Sequence, residues 1–288
     1  MNESAADVRE TSSQESSHVH TSLTTERYIG LLGDLHGDTH FAVSVADQMR
    51  QRGIKVLLQM GDFGFLNLRL DYGNLAWLDR ALNANDQVLY FVDGNHDNFP
   101  ELYRYPVGQD GLRWVTDSIA HLRRGYRSTL AGGLRLAALG GANSVDAWRG
   151  YWTGESITDK NLEVLGSEPA ELMIGHDAPL GVPTLDDYLK ATSYRWPTSG
   201  NEYSRAGRAM FHKGFMQVRP RIYVGSHYNY FVDQTVTFCT GEHTFQTRVV
   251  ILDAGGPRQA VSQAILDTST LELEFFSVSD GPRDAVEH

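Results

Sequence analysis

Short apolar runs in this chain repeatedly stop at loops that carry groups able to hold a cation. Tyr28-Ile29-Gly30-Leu31-Leu32 stops at Gly33-Asp34-Leu35-His36-Gly37-Asp38, and Ile54 to Met60 stops at Gly61-Asp62-Phe63-Gly64. Val88 to Val92 leads into Asp93-Gly94-Asn95-His96-Asp97, Glu171 to Ile174 into Gly175-His176-Asp177, and Arg221 to Val224 into Gly225-Ser226-His227-Tyr228-Asn229. Asp34 and His36 stand two residues apart, so in an extended segment both reach one side and can grip one ion. One such loop carries little, because a turn after a strand explains it equally well. The repetition carries more. Carboxylate, imidazole and amide oxygen without thiolate suit Mn, Fe, Mg or Zn at a catalytic rather than a structural site. Asp62 is the natural bridge between two ions. Two cations ~3.5–4 Å apart polarise a phosphoryl group, acidify a bridging water and steady both the attacking and the departing oxygen.

The elements that must position these groups follow from periodicity. Ala42, Val45, Ala46 and Met49 recur at helical spacing, with Gly53 where a C-terminal cap belongs, and Leu75, Leu78 and Leu82 suggest a further helix. Strand, helix and strand therefore alternate through the first third. Parallel βαβ units place the C-terminal ends of their strands along one sheet edge, so Asp34, His36, Asp62, Asn95 and His96 converge there. His121-Leu122-Arg123, Tyr126 to Ala131 and Leu134 to Leu139, with a Gly132-Gly133 turn, read as hairpins. A helix is predicted over Tyr203 to Val218, and Gln246 to Leu252 and Leu271 to Ser277 read as β structure that closes the fold. No linker interrupts the chain, which predicts one two-layered α/β domain over residues 27–288. Residues 1–26, rich in Ser, Thr and Glu, cannot bury enough apolar surface to offset ordering and read as a disordered tail; His18 and His20 fall in it.

Composition narrows the function classes. A net charge of −11, with no Lys/Arg cluster longer than Arg123-Arg124, argues against a protein that coats nucleic acid. No apolar run approaches the ~20 residues of a membrane span, and no basic-then-apolar leader opens the sequence, so a cytoplasmic protein without membrane partners is expected. The single cysteine, Cys239, excludes an internal disulfide and a thiolate cage; in the run Thr235 to Cys239 it reads as a buried, inert thiol.

Taken in order, the series Asp-x-His, Gly-Asp, Gly-Asn-His-Asp, Gly-His and a late His loop resembles the calcineurin-like metallophosphoesterases from about Tyr28 to Leu252. The resemblance implies a four-layered β-sandwich flanked by helices (α/β, or α+β), with a dinuclear metal centre on one edge. It implies that Asp34, His36 and Asp62 hold one ion and that Asp62, Asn95, His176 and His227 hold the other. It also implies His96 as the general acid toward the leaving oxygen, a role suited to an imidazole. Two divalent ions are expected as cofactors, with Mn the activating ion in vitro, and a phosphate mono- or diester as substrate. Phe63-Gly64-Phe65 and Gly94-Asn95-His96-Asp97 differ from the protein Ser/Thr phosphatase pattern; small bacterial and phage-type members look closer, including the Gly140 to Asp146 and Gly175 to Pro179 segments.

The last loop departs from the family's Gly-His-x-His. In the preferred register Ser226 stands at the Gly, His227 at the first His and Asn229 at the second, where an amide would complete the Asp34/His36 site more weakly than an imidazole. In the other register His227 is the terminal ligand and the second site lacks one group. Either way one ion is held loosely. Asp38 and Asp97 could orient ligands or cap helices. Arg149, beside Trp148, Tyr151 and Trp152, could clamp a substrate phosphate, or the cluster could pack one loop on the sheet. His40, His121, His212 and His243 read as surface or internally satisfied. The reading from another class is a catalytically weak module that keeps the fold for protein binding; it would be expected to have lost several of these groups.

Overall fold

Consecutive apolar residues in a short strand suit a sheet covered on both faces, because successive side chains leave by opposite sides. That is how the runs are used. In the computed structural model, which describes residues 22–66, 74–150, 153–241, 243–255 and 261–276, Leu31 and Leu58 enter one apolar cluster while Leu32 and Leu57 enter another. In the second half Ala138, Ile174 and Val224 share the first cluster, and Leu139, Met173 and Tyr223 join a third.

The chain runs β1 (Tyr28–Leu32), α1 (Thr39–Gln51), β2 (Val56–Gln59), α2 (Leu75–Ala84), β3 (Val88–Phe91), α3 (Phe99–Leu102), β4 (Arg113–Trp114) and β5 (Ile119–His121). It continues through β6 (Arg127–Thr129), β7 (Arg135–Leu139), α4 (Asp159–Leu165), β8 (Leu172–Gly175), α5 (Pro183–Thr192), α6 (Thr198–Val218) and β9 (Ile222–Gly225). β10 (Val232–Thr240), β11 (His243–Ile251), β12 (Gln263–Asp267) and β13 (Leu273–Phe276) complete it. One sheet has the order β13-β12-β1-β2-β3-β5-β4 and the other β10-β11-β9-β8-β7-β6. The first cluster fills the space between the sheets; the second lies under α1 and α2, and the third under α4, α5 and α6. The result is helices, sheet, sheet, helices, the four layers expected.

β1, β2 and β3 are parallel in the first sheet, and β7, β8 and β9 in the second. Their C-terminal ends, where the polar loops begin, therefore lie along common edges. Asp38 caps α1 by accepting from the Phe41 N–H at 3.0 Å, and Asn74 caps α2 by accepting from Trp77 at 2.9 Å. Each cap fixes where the chain leaves the strand loop and enters its helix.

Several expectations need correction. His121 belongs to β5, which pairs with β3 and with β4; only β6 and β7 form the hairpin read around Gly132-Gly133. The chain changes sheets between β5 and β6, and a strand as short as Ile119-Ala120-His121 carries no mark of which sheet will take it. Residues 22–26, assigned by composition to the tail, form a turn that buries Leu23, whose carbonyl accepts from the Ala131 N–H at 3.2 Å. Cys239 is exposed: β10 is an edge strand whose alternation turns Phe238 inward and Cys239 outward. α6 begins at Thr198, just after Pro197, rather than at Tyr203. The expectations for residues 1–21, Tyr151, Trp152 and Ser277 lie outside the described residues.

α6 owes its seat to glycine. Gly200, Gly207 and Gly214 lie seven apart on one face, and a Cβ on each would come within 2.1 Å of the Val145 carbonyl oxygen, 2.6 Å of Asn143 and 2.7 Å of Leu139. Helix propensity alone favours Ala over Gly by about 1 kcal/mol. Contact with a backbone oxygen opposes it. We expect Gly200→Ala to destabilise the fold by about 1–3 kcal/mol, the cost of an overpacked contact, read as a lower urea midpoint; a raised midpoint would refute the close-approach argument.

Candidate metal centre

Five strands deliver the polar groups to one place, and backbone hydrogen bonds lock the loops to each other. The Asp62 carbonyl accepts from the N–H groups of Leu35 and His36 at 3.3 and 2.8 Å, and the Phe63 carbonyl from Gly37 at 3.0 Å. Buried Gln59 donates to the carbonyls of Gly33 and Gly61, tying the exits of β1 and β2 together. Asp97 accepts from Gly94 at 2.7 Å and from Gly64 at 2.9 Å, so one buried carboxylate fastens the Asp62 loop to the Asn95 loop. Its pKa is pushed up to about 6 by burial and by the nearby Asp62.

Asp62, His176 and His227 form one group of possible ligands, and Asp34, His36 and Asp62 a second; within each, one ligand atom per residue lies within 4.8 Å of the others. The shared residue aims both ways. Asp62 Oδ2 is 3.9 Å from His36 Nδ1, and its Oδ1 is 3.4 Å from His176 Nε2. His36 Nε2 lies 3.8 Å from Asp34 Oδ2. Asn95 joins the first group: its Oδ1 stands 2.9 Å from His176 Nε2. The amide is held that way round because its Nδ2 donates to Ser144 Oγ at 2.9 Å, and Ser144 donates in turn to buried Glu155.

The donor set fits a divalent cation. His176 Nδ1 donates to the Met60 carbonyl at 2.8 Å, which fixes the ring and turns Nε2 toward Asn95 Oδ1 and Asp62 Oδ1. Burial disfavours a charged His176 ring, yet Asp62 and Asp34 outweigh it and push the pKa up to about 10. Acceptors packed this closely demand a cation among them, a proton or a metal ion in its place. Asp62, although buried, is held well below the usual carboxylate range by His176 and then His36 and His96; burial pushes Asp34 up. His227 is driven well down by burial and by His176, which leaves it as the neutral imidazole that ligates metals.

Backbone strain marks the same residues. Of the non-glycine residues with positive φ among those described, His36 (48°), Asp62 (51°), His227 (76°) and Asn229 (48°) all carry candidate ligands. A left-handed conformation costs of order 1–3 kcal/mol, and it persists because the surrounding hydrogen bonds over-determine the loops. Two glycines clear the room: a Cβ on Gly61 would sit 2.4 Å from His176 Nδ1, and one on Gly94 2.2 Å from Asp62 Oδ1.

The remaining sequence candidates separate. His96 is half-buried on the wall of the cleft, its ring 5.8 Å from that of His36, and its backbone N–H donates to Asp62 Oδ1 at 2.8 Å. Asn229 is exposed and lines the same cleft. His227 groups with Asp62 and His176. Asp38 is exposed and serves as the helix cap. Arg149 does not line the cleft: it lies 3.4 Å from Asp146 and over the Trp148 ring. The short helical turn Ala147–Arg149 that follows Asp146 brings the exposed Arg149 back beside it. His121 is buried and bonded to Asp93 at 3.0 Å, the internally satisfied case. Ser144, Glu155 and Arg124 escaped the sequence reading; Ser144 lay within a noted Gly-rich segment, but a lone Glu155 and Arg124 carry no local signal.

Residues 28–204 match the family model described as calcineurin-like phosphoesterase. No curated protein sequence matches the chain. Among solved structures, TT1561 of Thermus thermophilus aligns at TM-score 0.48 and 14% identity over 88% of this chain and 100% of that one. A dimetal phosphatase from Danio rerio aligns at TM-score 0.51 and 13% identity, covering 85% of this chain and 92% of that one. Purple acid phosphatase PPD1 from yellow lupin (Lupinus luteus) seeds gives 0.47 and 12%, over 89% of this chain and 52% of that one. At such identities the likeness concerns the fold. With more than half of its length matched, and with loops from both sheets meeting over a shared aspartate, this chain belongs to the calcineurin-like phosphoesterase family.

Proposed function

We propose that the protein is a metal-dependent phosphoesterase that hydrolyses phosphate mono- or diesters at a dinuclear centre. The observation that carries this reading is the two-way aim of Asp62, one oxygen toward His36 and the other toward His176. Asp34, His36 and Asp62, with the Asn229 amide, would hold one divalent ion; Asp62, Asn95, His176 and His227 would hold the other. When bound, such ions supply Lewis-acid polarisation of a phosphoryl group and a more acidic water. The chain supplies the rest. Half-buried His96, at the cleft wall beside both groups, is placed to give a proton to the departing oxygen. Ser144 and Glu155 keep the Asn95 oxygen facing the site, and Asp97 keeps the two central loops in register. Because an amide binds divalent ions more weakly than imidazole, the ion at Asp34 and His36 should leave first.

The test is hydrolysis of aryl phosphate mono- and diesters and of cyclic nucleotides with Mn, Mg, Fe and Zn, alongside stepwise chelation. Activity that depends on added metal, strongest with Mn, and a drop of about 10²–10⁴-fold in His96→Ala are expected. Bound ions without activity toward any ester would favour a binding module. Two ions equally resistant to chelation would count against the weak Asn229 site.

A further inference from the structure

The cleft extends well beyond the metal centre. Its volume is about 1040 Å³, at the upper end of small-molecule sites and far more than one phosphate needs. Two helices build the far wall. On α5, Asp186, Leu189 and Lys190 line it, and on α6, Asn201, Ser204, Arg205 and Arg208 do, each set recurring on one helical face. The glycine face of α6 is pressed on the sheet loops, which turns the neighbouring flank of the helix toward the cleft.

The charges here do not cancel. Buried Arg208 is satisfied by Asp186 at 2.7 Å and by the carbonyls of Ala178 and Pro179 at 3.2 and 2.7 Å. Asp146 faces Arg149. Lys190, Arg195 and Arg205 also line the cleft, all are exposed, and none has a carboxylate partner among the described residues. In a chain of net charge −11, three uncancelled cations along one cleft form a local basic site. Trp196, 38% exposed, lies among them and offers a flat apolar face. Two guanidinium groups and an ammonium match the three-sided oxygen array of a phosphate, and the indole matches an aromatic ring.

We propose, resting on the phosphoesterase reading, that Lys190, Arg195 and Arg205 bind a second, non-reacting phosphate of the substrate, with Trp196 stacked on the ring that joins the two. The substrate class is then a bisphosphorylated compound with an aromatic ring, such as a nucleoside bisphosphate. The test uses the full chain and two probes, adenosine 3′,5′-bisphosphate and adenosine 5′-monophosphate, with Kd measured by calorimetry on Mn-loaded protein carrying His96→Ala to slow turnover, and Ki measured for the native protein against aryl phosphate hydrolysis. The native protein should bind the bisphosphate at least 10-fold more tightly. In the triple variant Lys190→Gln, Arg195→Gln, Arg205→Gln that preference should collapse toward equality, with the melting temperature retained because all three side chains are exposed. If the triple variant does not fold, Arg205→Gln alone should still reduce the preference severalfold. Equal binding of both probes by the native protein, or an equal loss for both in the variant, would overturn the site. If no ester is hydrolysed with any metal, the phosphoesterase reading fails by itself. The calorimetric preference and its loss in the variant would still decide the anion site.

Discussion

Asp62→Asn is expected to lower kcat by about 10³-fold or more and to release at least one metal ion per chain. The carboxylate contributes one oxygen to each ligand group, 3.9 Å from His36 and 3.4 Å from His176. An amide of the same shape keeps an acceptor for the His96 N–H, but it offers one oxygen and no charge. A loss of several kcal/mol of transition-state stabilisation corresponds to that fold-change. Folding should survive, because the amide keeps the shape of the side chain and an acceptor for the His96 backbone N–H, and His176, left with Asp34 as its carboxylate neighbour, can give up its proton. Metal content after gel filtration, read together with kcat, checks the result. Two retained ions with near-native turnover would remove Asp62 from the bridging role.

Arg124→Met is expected to cost about 3–5 kcal/mol of stability, because it strands a buried carboxylate. Arg124 donates from Nε to Asp93 Oδ2 at 2.7 Å. Its other nitrogens hold the carbonyls of Gly154 and Glu155, each at 2.9 Å, and of Ser156 at 2.6 Å. Burial alone would push Asp93 up; Arg124, then His121, outweigh it and keep the carboxyl well below the usual range. A depressed carboxyl pKa contributes stability that is present above the unfolded value of ~3.9 and lost as pH falls through the folded value. Without the guanidinium, burial favours the protonated acid instead. The deficit of the variant should therefore be full near neutral pH and narrow below about pH 4. Urea melts across that range provide the check, and a deficit independent of pH would place the cost in the lost carbonyl contacts instead.

The same arginine illustrates the limit of reading a chain by its motifs. Asp34, His36, Asp62, Asn95, His96 and His176 were legible because each follows an apolar run, and parallel strands must expose their C-terminal ends along common edges. Chain order and local spacing carry that information. The burial of both sheet faces was legible too, since Leu31-Leu32 and Leu57-Leu58 have no polar side to offer water. Arg124 and Glu155 are single residues in loops, and their meaning arises only when distant segments close on Asp93 and Asn95.

By itself, the sequence determined which side chains reach the edge of the sheets and the class of chemistry they can perform, because residue type and strand periodicity are local properties. Tertiary structure alone decided the rest. It turned one oxygen of Asp62 toward His36 and the other toward His176, held four candidate ligand residues at positive φ, and paired Arg149, which does not line the cleft, with Asp146, which does. It also laid α6 on its glycine face, so that Arg205, together with Lys190 and Arg195, faces a common space. These outcomes depend on contacts between residues tens to hundreds of positions apart, and on backbone angles that packing imposes against intrinsic preference.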